Sequence, residues 1–485
     1  MNDSVTPVRV RMAPSPTGFF HVGSARTALF NYLFARHNNG TFVLRIEDTD
    51  ITRNDATYEQ VIYDAMAWLG LSADEGPKQG GEYGPYRQSE RFDIYRQYAR
   101  QLVESGKAYL AYETGDELAA MKADQAAKKL PPRYNGAHRD LTAEQRAAFE
   151  AEGRKPVVRL RIPEGETAWK DLVYGDTKWR NTEIDDFVIM KSDTTATYNF
   201  ACAIDDGLMK ISHVIRGEDG LSNTPRQILI YQALGFPVPH FAHLPFLLGN
   251  DRKKLSKRHG AVNLLEFGEQ DILPDAMFNY LAFLGWNPKG GETQEFFTRE
   301  ELISIFKLEN VNKAAAIFDT DKLQFMNVQY LKNMPIPQFL ELAKPYLQDV
   351  WSDIEAQPEY AALAIELGRE RIRKLEDIAE GVKYFFSDDY SVDPKGLEKH
   401  GTPEAKALLG ELHTRFSALP EWNHDAIENA IRTLAEEKEL KPAAFIHPSR
   451  VAVSGKTVGP SLFELHEALG RERVLGRIEK FIATS

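Results

Sequence analysis

"VRVRMAPSPTGFFHVGSARTALFNYLFARHNNGTFVLRIED", residues 8–48, changes its periodicity twice. Over 8–12, Val8, Val10 and Met12 alternate with Arg9 and Arg11. A period of two predicts a strand with its arginines on the opposite face. Pro14 to Gly18 break regular structure. From His21 to Asn38, apolar residues recur at 22, 25, 28, 29, 32 and 33, the helical period. "NNG" at 38–40 stops that helix, and "TFVLRIED" at 41–48 reads as a second strand. Strand, helix and strand in one stretch make a βαβ unit with a right-handed crossover, hence an open parallel sheet. Ligands of such a sheet sit beyond the carboxyl ends of its strands. Arg11, the 14–24 loop and Glu47 all fall at that end.

The loop "PSPTGFFHVGS", 14–24, has neither the GxGxxG dinucleotide fingerprint nor the GxxxxGK of a P-loop. Yet a helix starting near Val22 offers free N–H groups and a positive dipole end to an anion. Gly18 and Gly23 allow close approach to the backbone, and His21 can donate to a phosphate oxygen. The same residues also suit an ordinary turn with a satisfied histidine, and a lone His-x-Gly does not choose. A second signal is "KKLSKR", 253–258: five of the seven residues from Arg252 to Arg258 are basic in a chain of net charge −12. Flexible lysines stabilise charge on a transferring phosphate, although a basic loop alone is also common solvated surface.

The 485 residues suggest two to four domains, and 43% hydrophobic with 27% charged residues fits a soluble globular chain. The start MNDSVTPVRV has no apolar core of a secretory signal, and no run of 18 apolar residues predicts a membrane span. The single cysteine, Cys202, excludes an intrachain disulfide and a cysteine-based zinc site; a cytoplasmic location is expected. The negative charge argues against a blanket polyanion-binding surface, not against a local basic groove. No internal repeat or low-complexity tract is present.

Helical periods are predicted over 54–72 and 90–106, with a helix near 116–129 and strands at 156–162 and 169–174. The mixed stretch from about 108 to 200 reads as an insertion into an α/β core. The core resumes with "YNFACAIDD" near 198, "ISHVIRGED", a helix from about Pro225 to Leu234, and the strand "FAHLPFLL" before the basic loop. "NMPIPQF" marks a boundary after Tyr330, beyond which helical periods dominate. Leu462, Leu465 and Leu469, then Val474, Ile478 and Phe481 after Gly470, carry the pattern to the end.

"HVGS" with "KLSKR" resembles the two signatures of class I aminoacyl-tRNA synthetases, usually written HIGH and KMSKS. "RMAPSPTG", "RIEDTD", "GPYRQSER" and "VIRGED" are similar to the glutamyl-tRNA synthetase family, and the likeness persists to "FIHPSRVAVSGKTVGPSLFELHEALGRERVLGRIEKF". The resemblance implies a Rossmann-type parallel-sheet catalytic domain in two halves (1–107 and 198–330), an inserted acceptor-end-binding subdomain (108–197) and an all-α anticodon-binding region (331–485).

It also implies roles. Pro14, Thr17, Gly18, His21, Gly23, Ser24, Lys254, Ser256 and Lys257 would hold ATP, with His21, Lys254 and Lys257 catalytic and Lys257 the main phosphate contact. Ser24 stands where the generic signature has histidine; its hydroxyl still donates one hydrogen bond. Glutamate carries two carboxylates and an ammonium, so its site needs two cations, arginines by preference, and one anion. Arg11 and Arg216 would take the carboxylates and Glu47 the ammonium. Tyr198 would orient the side chain, with Ser15 beside it. Glu47, Asp48 and Asp50 of "RIEDTD" could suit a hard cation, but their spacing fits no loop motif; Mg2+ is expected to arrive with ATP. Arg87, Arg91, Asp205 and Asp206 are candidate contacts to the tRNA acceptor end, and Arg369 and Arg371 of "LGRERIRK" to the anticodon. Some relatives carry a cysteine-rich zinc site in the insertion; here its cysteines are absent and His138 alone cannot hold zinc, so none is expected.

The implied activity is that of a bacterial-type ligase joining L-glutamate to tRNA(Glu) with ATP, through glutamyl-adenylate. Relatives generally need tRNA bound before they activate glutamate. A monomer without membrane attachment is expected. Among rivals, a glutaminyl enzyme would have an all-β anticodon domain. A glutamyl-queuosine enzyme would end near residue 330, and a simple nucleotidyltransferase would be far shorter. A non-catalytic tRNA-binding paralogue would have damaged signatures, whereas His21, Gly23, Lys254 and Lys257 are all present.

Overall fold

The computed structural model describes residues 7–49, 56–256, 258, 262–288 and 294–483. Lys257 and Asp50 lie outside the described residues.

β1 (Arg9–Met12), α1 (Val22–His37) and β2 (Thr41–Leu44) form the expected βαβ unit. β1 and β2 are parallel, with Arg9 opposite Thr41 and Met12 opposite Leu44. Two asparagines end α1, Asn39 with a φ of 50°. At Gly40 a Cβ would lie 2.4 Å from the Val8 carbonyl oxygen, so only glycine lets β2 enter this close to the start of β1. The alternation in β1 does not separate a core face from a wet face. Val10, Arg11 and Met12 are all buried, because the strand lies inside the sheet.

α2 (Ala56–Trp68) and α3 (Phe92–Glu104) follow. Then come β3 (Ala108–Ala111), α4 (Gly115–Ala127), α5 (Ala143–Ala151), β4 (Val157–Leu160), β5 (Glu166–Asp171), β6 (Gly175–Arg180) and β7 (Val188–Met190). β3, β4 and β7 make an antiparallel sheet of their own. The hairpin β5–β6 does not stay with it.

The chain returns through α6 (Tyr198–Leu208), β8 (His213–Gly217), α7 (Thr224–Leu234) and β9 (His240–Leu244). β8 and β9 pair in parallel from His213–His240 to Gly217–Leu244. The Ser212 N–H donates to the Arg9 carbonyl at 2.9 Å and its hydroxyl accepts from the Arg9 N–H at 2.8 Å, which seats β8 beside β1. The core layer therefore runs β2, β1, β8, β9. β5 joins it through a parallel pair, Asp171 with Phe241. The expected 169–174 strand ends at Asp171, whose carboxylate accepts the N–H groups of Val173 and Tyr174 and turns the chain. "FAHLPFLL" is two strands: β9 ends before Pro245, which cannot donate to a ladder, and Leu247–Leu248 pairs with Ala316–Ile317 in a separate sheet. Phe200, Ile204, Val214, Ile228, Tyr231 and Phe241 pack the core between α6, α7 and the sheet.

The chain divides into two units at Thr320/Asp321, ahead of the two prolines where the change of texture was read. Among its described residues the second unit holds only helices, including Pro358–Arg369, Ile378–Phe386, Pro403–Ser417, Leu462–Leu469 and Arg471–Ala483. Leu462, Leu465, Leu469, Val474, Ile478 and Phe481 are all buried, and Gly470, with φ of 81°, separates the last two helices. Within "LGRERIRK" the helix stops at Arg369 and Arg371 lies in the following turn. No helix among the described residues is long and apolar enough to cross a membrane.

Candidate active site

Beyond the carboxyl ends of β1, β8 and β9 opens a cavity of about 1030 Å³. Pro14, Ser15, Thr17 and Gly18 line it from the first loop, and His21, Gly23 and Ser24 from the start of α1. Arg11, Glu47, Tyr198 and Arg216 line its inner side; Lys254 and Ser256 line it from the basic loop. Every described residue assigned above to ATP or glutamate therefore meets in one space.

His21 is the N-cap of α1: its Nδ1 accepts the Gly23 N–H at 3.0 Å. With Nδ1 used as an acceptor, the ring proton sits on Nε2, which is left to donate to a ligand. Burial, helped by Lys254, holds the imidazole below its ordinary pKa, so the ring is neutral at pH 7. The far end of the basic loop returns to this same point. The Val22 N–H donates to Val262 O at 2.9 Å and the Leu264 N–H to Phe20 O at 3.0 Å. The near end is a tight hairpin, with the Leu255 N–H donating to Leu247 O at 2.9 Å. Lys254 is exposed, its ammonium 3.9 Å from the centre of the Phe246 ring.

The inner side is a buried charge network. Arg11 Nε donates to Asp206 Oδ1 at 3.1 Å. Arg45 bridges Asp206 at 2.7 Å and Glu47 at 2.8 Å. Two guanidiniums and two carboxylates thus balance. Burial would lower Arg11, but Asp206 outweighs it and holds the guanidinium above its usual pKa. Burial raises Glu47 above the carboxylate range, with Arg45 opposing. Asp206 is driven the other way: its burial is outweighed by Arg11 and Arg45. Among the described residues Arg216, by contrast, has only neutral hydrogen-bond partners, the nearest being Thr224 Oγ1 at 2.8 Å and Gln227 Oε1 at 2.9 Å. A buried guanidinium without a carboxylate partner is a receptor for a ligand anion.

Four residues expected to contact tRNA lie buried against partners within the chain. Asp205 and Asp206 are 0% and 1% exposed. Asp205 accepts from Arg91 at 2.7 Å, Tyr95 at 2.7 Å and Gln88 at 2.9 Å, so Arg91 is also spent inside. The pair sits mid-helix on the face of α6 that packs inward, and buried carboxylates survive there only when paired. Arg369 is buried too, donating to the Met334 carbonyl and pairing with Glu366. Arg87 is partly exposed and tied to Glu59 at 2.8 Å, outside the cavity. Arg371 is exposed and lines a second cavity of about 550 Å³ with Arg373 and Tyr384.

The sequence reading missed Arg45, although it stands two residues before Glu47, just past the end of β2. It also missed Arg26 on α1, which donates to the Leu284 carbonyl at 3.3 Å and to that of Pro245. Burial pushes Arg26 down to about 10. Phe19, 52% exposed, meets Tyr58 edge-on at the cavity rim with ring centroids 6.3 Å apart. In the insertion, His138 Nδ1 accepts the Tyr112 N–H at 3.0 Å. Among the described residues no group of three or more His, Cys, Asp or Glu is placed to hold a metal.

Residues 7–325 match the family described as tRNA synthetases class I (E and Q), catalytic domain, and 338–482 match an anticodon binding domain. The chain is 50% identical over 480 residues to a glutamate–tRNA ligase of Moorella thermoacetica, covering 98% of this chain and 97% of that protein. It is 46% identical to one from Natranaerobius thermophilus, with 98% of each covered. A crystal structure of a glutamate tRNA ligase from Elizabethkingia meningosepticum, in complex with its amino acid, superposes with a TM-score of 0.85 at 37% identity, covering 98% of this chain and 99% of that one.

Proposed function

The chain belongs to the class I tRNA synthetases of the glutamate and glutamine type, and on that premise we propose that it is a glutamate–tRNA ligase working in the cavity just described. The observation that carries the reading is the meeting of two different receptors in one space. The start of α1, stitched to the basic loop, faces a pair of buried arginines with Glu47 beside them.

Arg11 and Arg216 take the two carboxylates of glutamate, and Glu47 takes the ammonium. Tyr198 and Ser15 orient the side chain. ATP enters with its Mg2+ and lays its phosphates at the N–H end of α1. A glutamate α-carboxylate oxygen attacks the α-phosphorus, a P–O bond to pyrophosphate breaks, and glutamyl-adenylate forms. His21 Nε2–H donates to the phosphate oxygens as charge builds, and Lys254 with Lys257 neutralises the departing pyrophosphate. The terminal ribose hydroxyl of tRNA(Glu) then attacks the activated carbonyl and AMP leaves. No enzyme side chain becomes acylated; catalysis is positioning and charge stabilisation.

The antiparallel insertion receives the acceptor end and the helical second unit reads the anticodon, Arg371 being the candidate that remains exposed. The enzyme acts as a cytoplasmic monomer and activates glutamate only with tRNA bound. Glutamate-dependent exchange of pyrophosphate into ATP, with and without tRNA, tests this. Exchange confined to samples holding both glutamate and tRNA is expected. Exchange driven by glutamine in place of glutamate, or none from folded protein, would overturn the reading.

A further inference from the structure

Arg216 owns five N–H donors in a rigid fork. Its Nε donates to His243 Nε2 at 3.2 Å, one Nη1–H to Gln227 at 2.9 Å, and Nη2 to Gly220 O at 3.0 Å and Thr224 Oγ1 at 2.8 Å. Four donors are engaged, and one N–H on Nη1 is left for a ligand. Behind this fork, His243 Nδ1 lies 2.5 Å from Asp171 Oδ2. Both side chains are fully buried, and neither lines the cavity.

The proton bookkeeping of this chain is determinate. Asp171 Oδ1 accepts two backbone N–H groups at 3.0 Å each, and its carboxylate only accepts, so Nδ1 carries the imidazole proton. Nε2 is then a lone pair that faces both Arg216 Nε at 3.2 Å and the Thr224 hydroxyl at 3.0 Å, itself a partner of the Arg216 fork. Burial keeps His243 below its ordinary pKa despite Asp171, and a neutral ring is what a guanidinium donor needs. Were the tautomer reversed, an N–H would face an N–H. Phe241 is parallel to the imidazole plane, at 9° and 6.1 Å, and restricts its rotation.

We propose that His243, held in one tautomer by Asp171, is a positioning residue that fixes the Arg216 fork for a glutamate carboxylate. This rests on the ligase reading. Asp171 reaches the site from the β5–β6 hairpin and His243 from β9, so the fork is aimed by the seam between hairpin and core sheet.

Three near-isosteric variants test it. The amide oxygen of Gln can stand at Nε2, and the amide nitrogen of Asn at Nδ1. His243→Gln thus keeps the acceptor for Arg216, whereas His243→Asn keeps the donor to Asp171 and loses that acceptor. Asp171→Asn keeps an oxygen for the two backbone amides but donates to Nδ1, which inverts the tautomer. Glutamate KM in tRNA-supported exchange is expected to rise roughly tenfold to a hundredfold in His243→Asn and Asp171→Asn, within the range for a hydrogen bond to a charged group. His243→Gln should stay near wild type, and ATP KM should hold in all three. Circular dichroism and thermal unfolding establish that each is folded. Glutamate KM unchanged in Asp171→Asn, or equal effects of His243→Gln and His243→Asn, would overturn the proposal while wild-type exchange upheld the ligase. Wild-type protein without glutamate-dependent exchange would overturn both.

Discussion

His21 does two jobs with one ring. Nδ1 caps α1, and Nε2–H is the donor proposed for the ligand. His21→Ala should slow adenylate formation on the order of 10²–10³-fold, the effect of removing one donor to developing charge. It should also weaken the helix start by about 1 kcal/mol. Single-turnover adenylate formation and urea unfolding read the two losses separately. Glu47 makes the opposite kind of prediction. Its carboxylate must be ionised to bind an ammonium, and burial lifts its pKa above the ordinary range. Glutamate KM should therefore climb as pH falls, beginning at a higher pH than an exposed glutamate, near 4.3, would give. A pH profile of KM whose climb begins no higher than that of an exposed glutamate would separate Glu47 from the ammonium.

At the scale of the element, α6 is the informative case. Its inward face carries Asp205 and Asp206, which join α3 and β2 through Arg91 and Arg45. Side by side in sequence, the two carboxylates looked available to nucleotides; the helix turns both into the core. Asp206→Ala should destabilise by about 3–5 kcal/mol at pH 7, since it strands Arg11 without its anion and leaves Arg45 with Glu47 in place of two carboxylates. Asp206 has a depressed folded pKa, so its contribution is complete above about 3.9 and fades as pH falls from there towards the folded value. The stability gap between variant and wild type, measured by urea unfolding, should accordingly narrow below about pH 4. A gap independent of pH would mean the cost is packing alone.

At the scale of the whole molecule, a chain of net charge −12 has to hold a polyanion. Binding of tRNA must then come from local basic surface, and each neutralised phosphate releases counterions. Affinity measured by filter binding should drop more than about tenfold between roughly 50 and 200 mM salt. A flat response would contradict a phosphate-tracking surface. The two units also differ in how well they could be read. In the helical unit the six apolar positions from Leu462 to Phe481 are buried as their spacing indicates. The catalytic unit resisted at its seams, where β5 leaves the inserted sheet for the core and Pro245 divides an expected strand into two.

Periodicity alone determined the βαβ unit, because strand and helix periods report which side of a local element avoids water, and that is a property of neighbouring residues. Motif text picked out two loops that line one cavity, since loops proposed to cradle phosphate need glycine, histidine and lysine at short spacing. What only tertiary structure decided is which charges meet. Arg11 with Asp206, Arg45 with Asp206, and Asp171 behind His243 are pairings between elements far apart in the chain. A charged side chain has no periodic signature. Whether it faces ligand, solvent or a buried partner follows from the sheet that brings the partner, and desolvation makes that choice costly to get wrong.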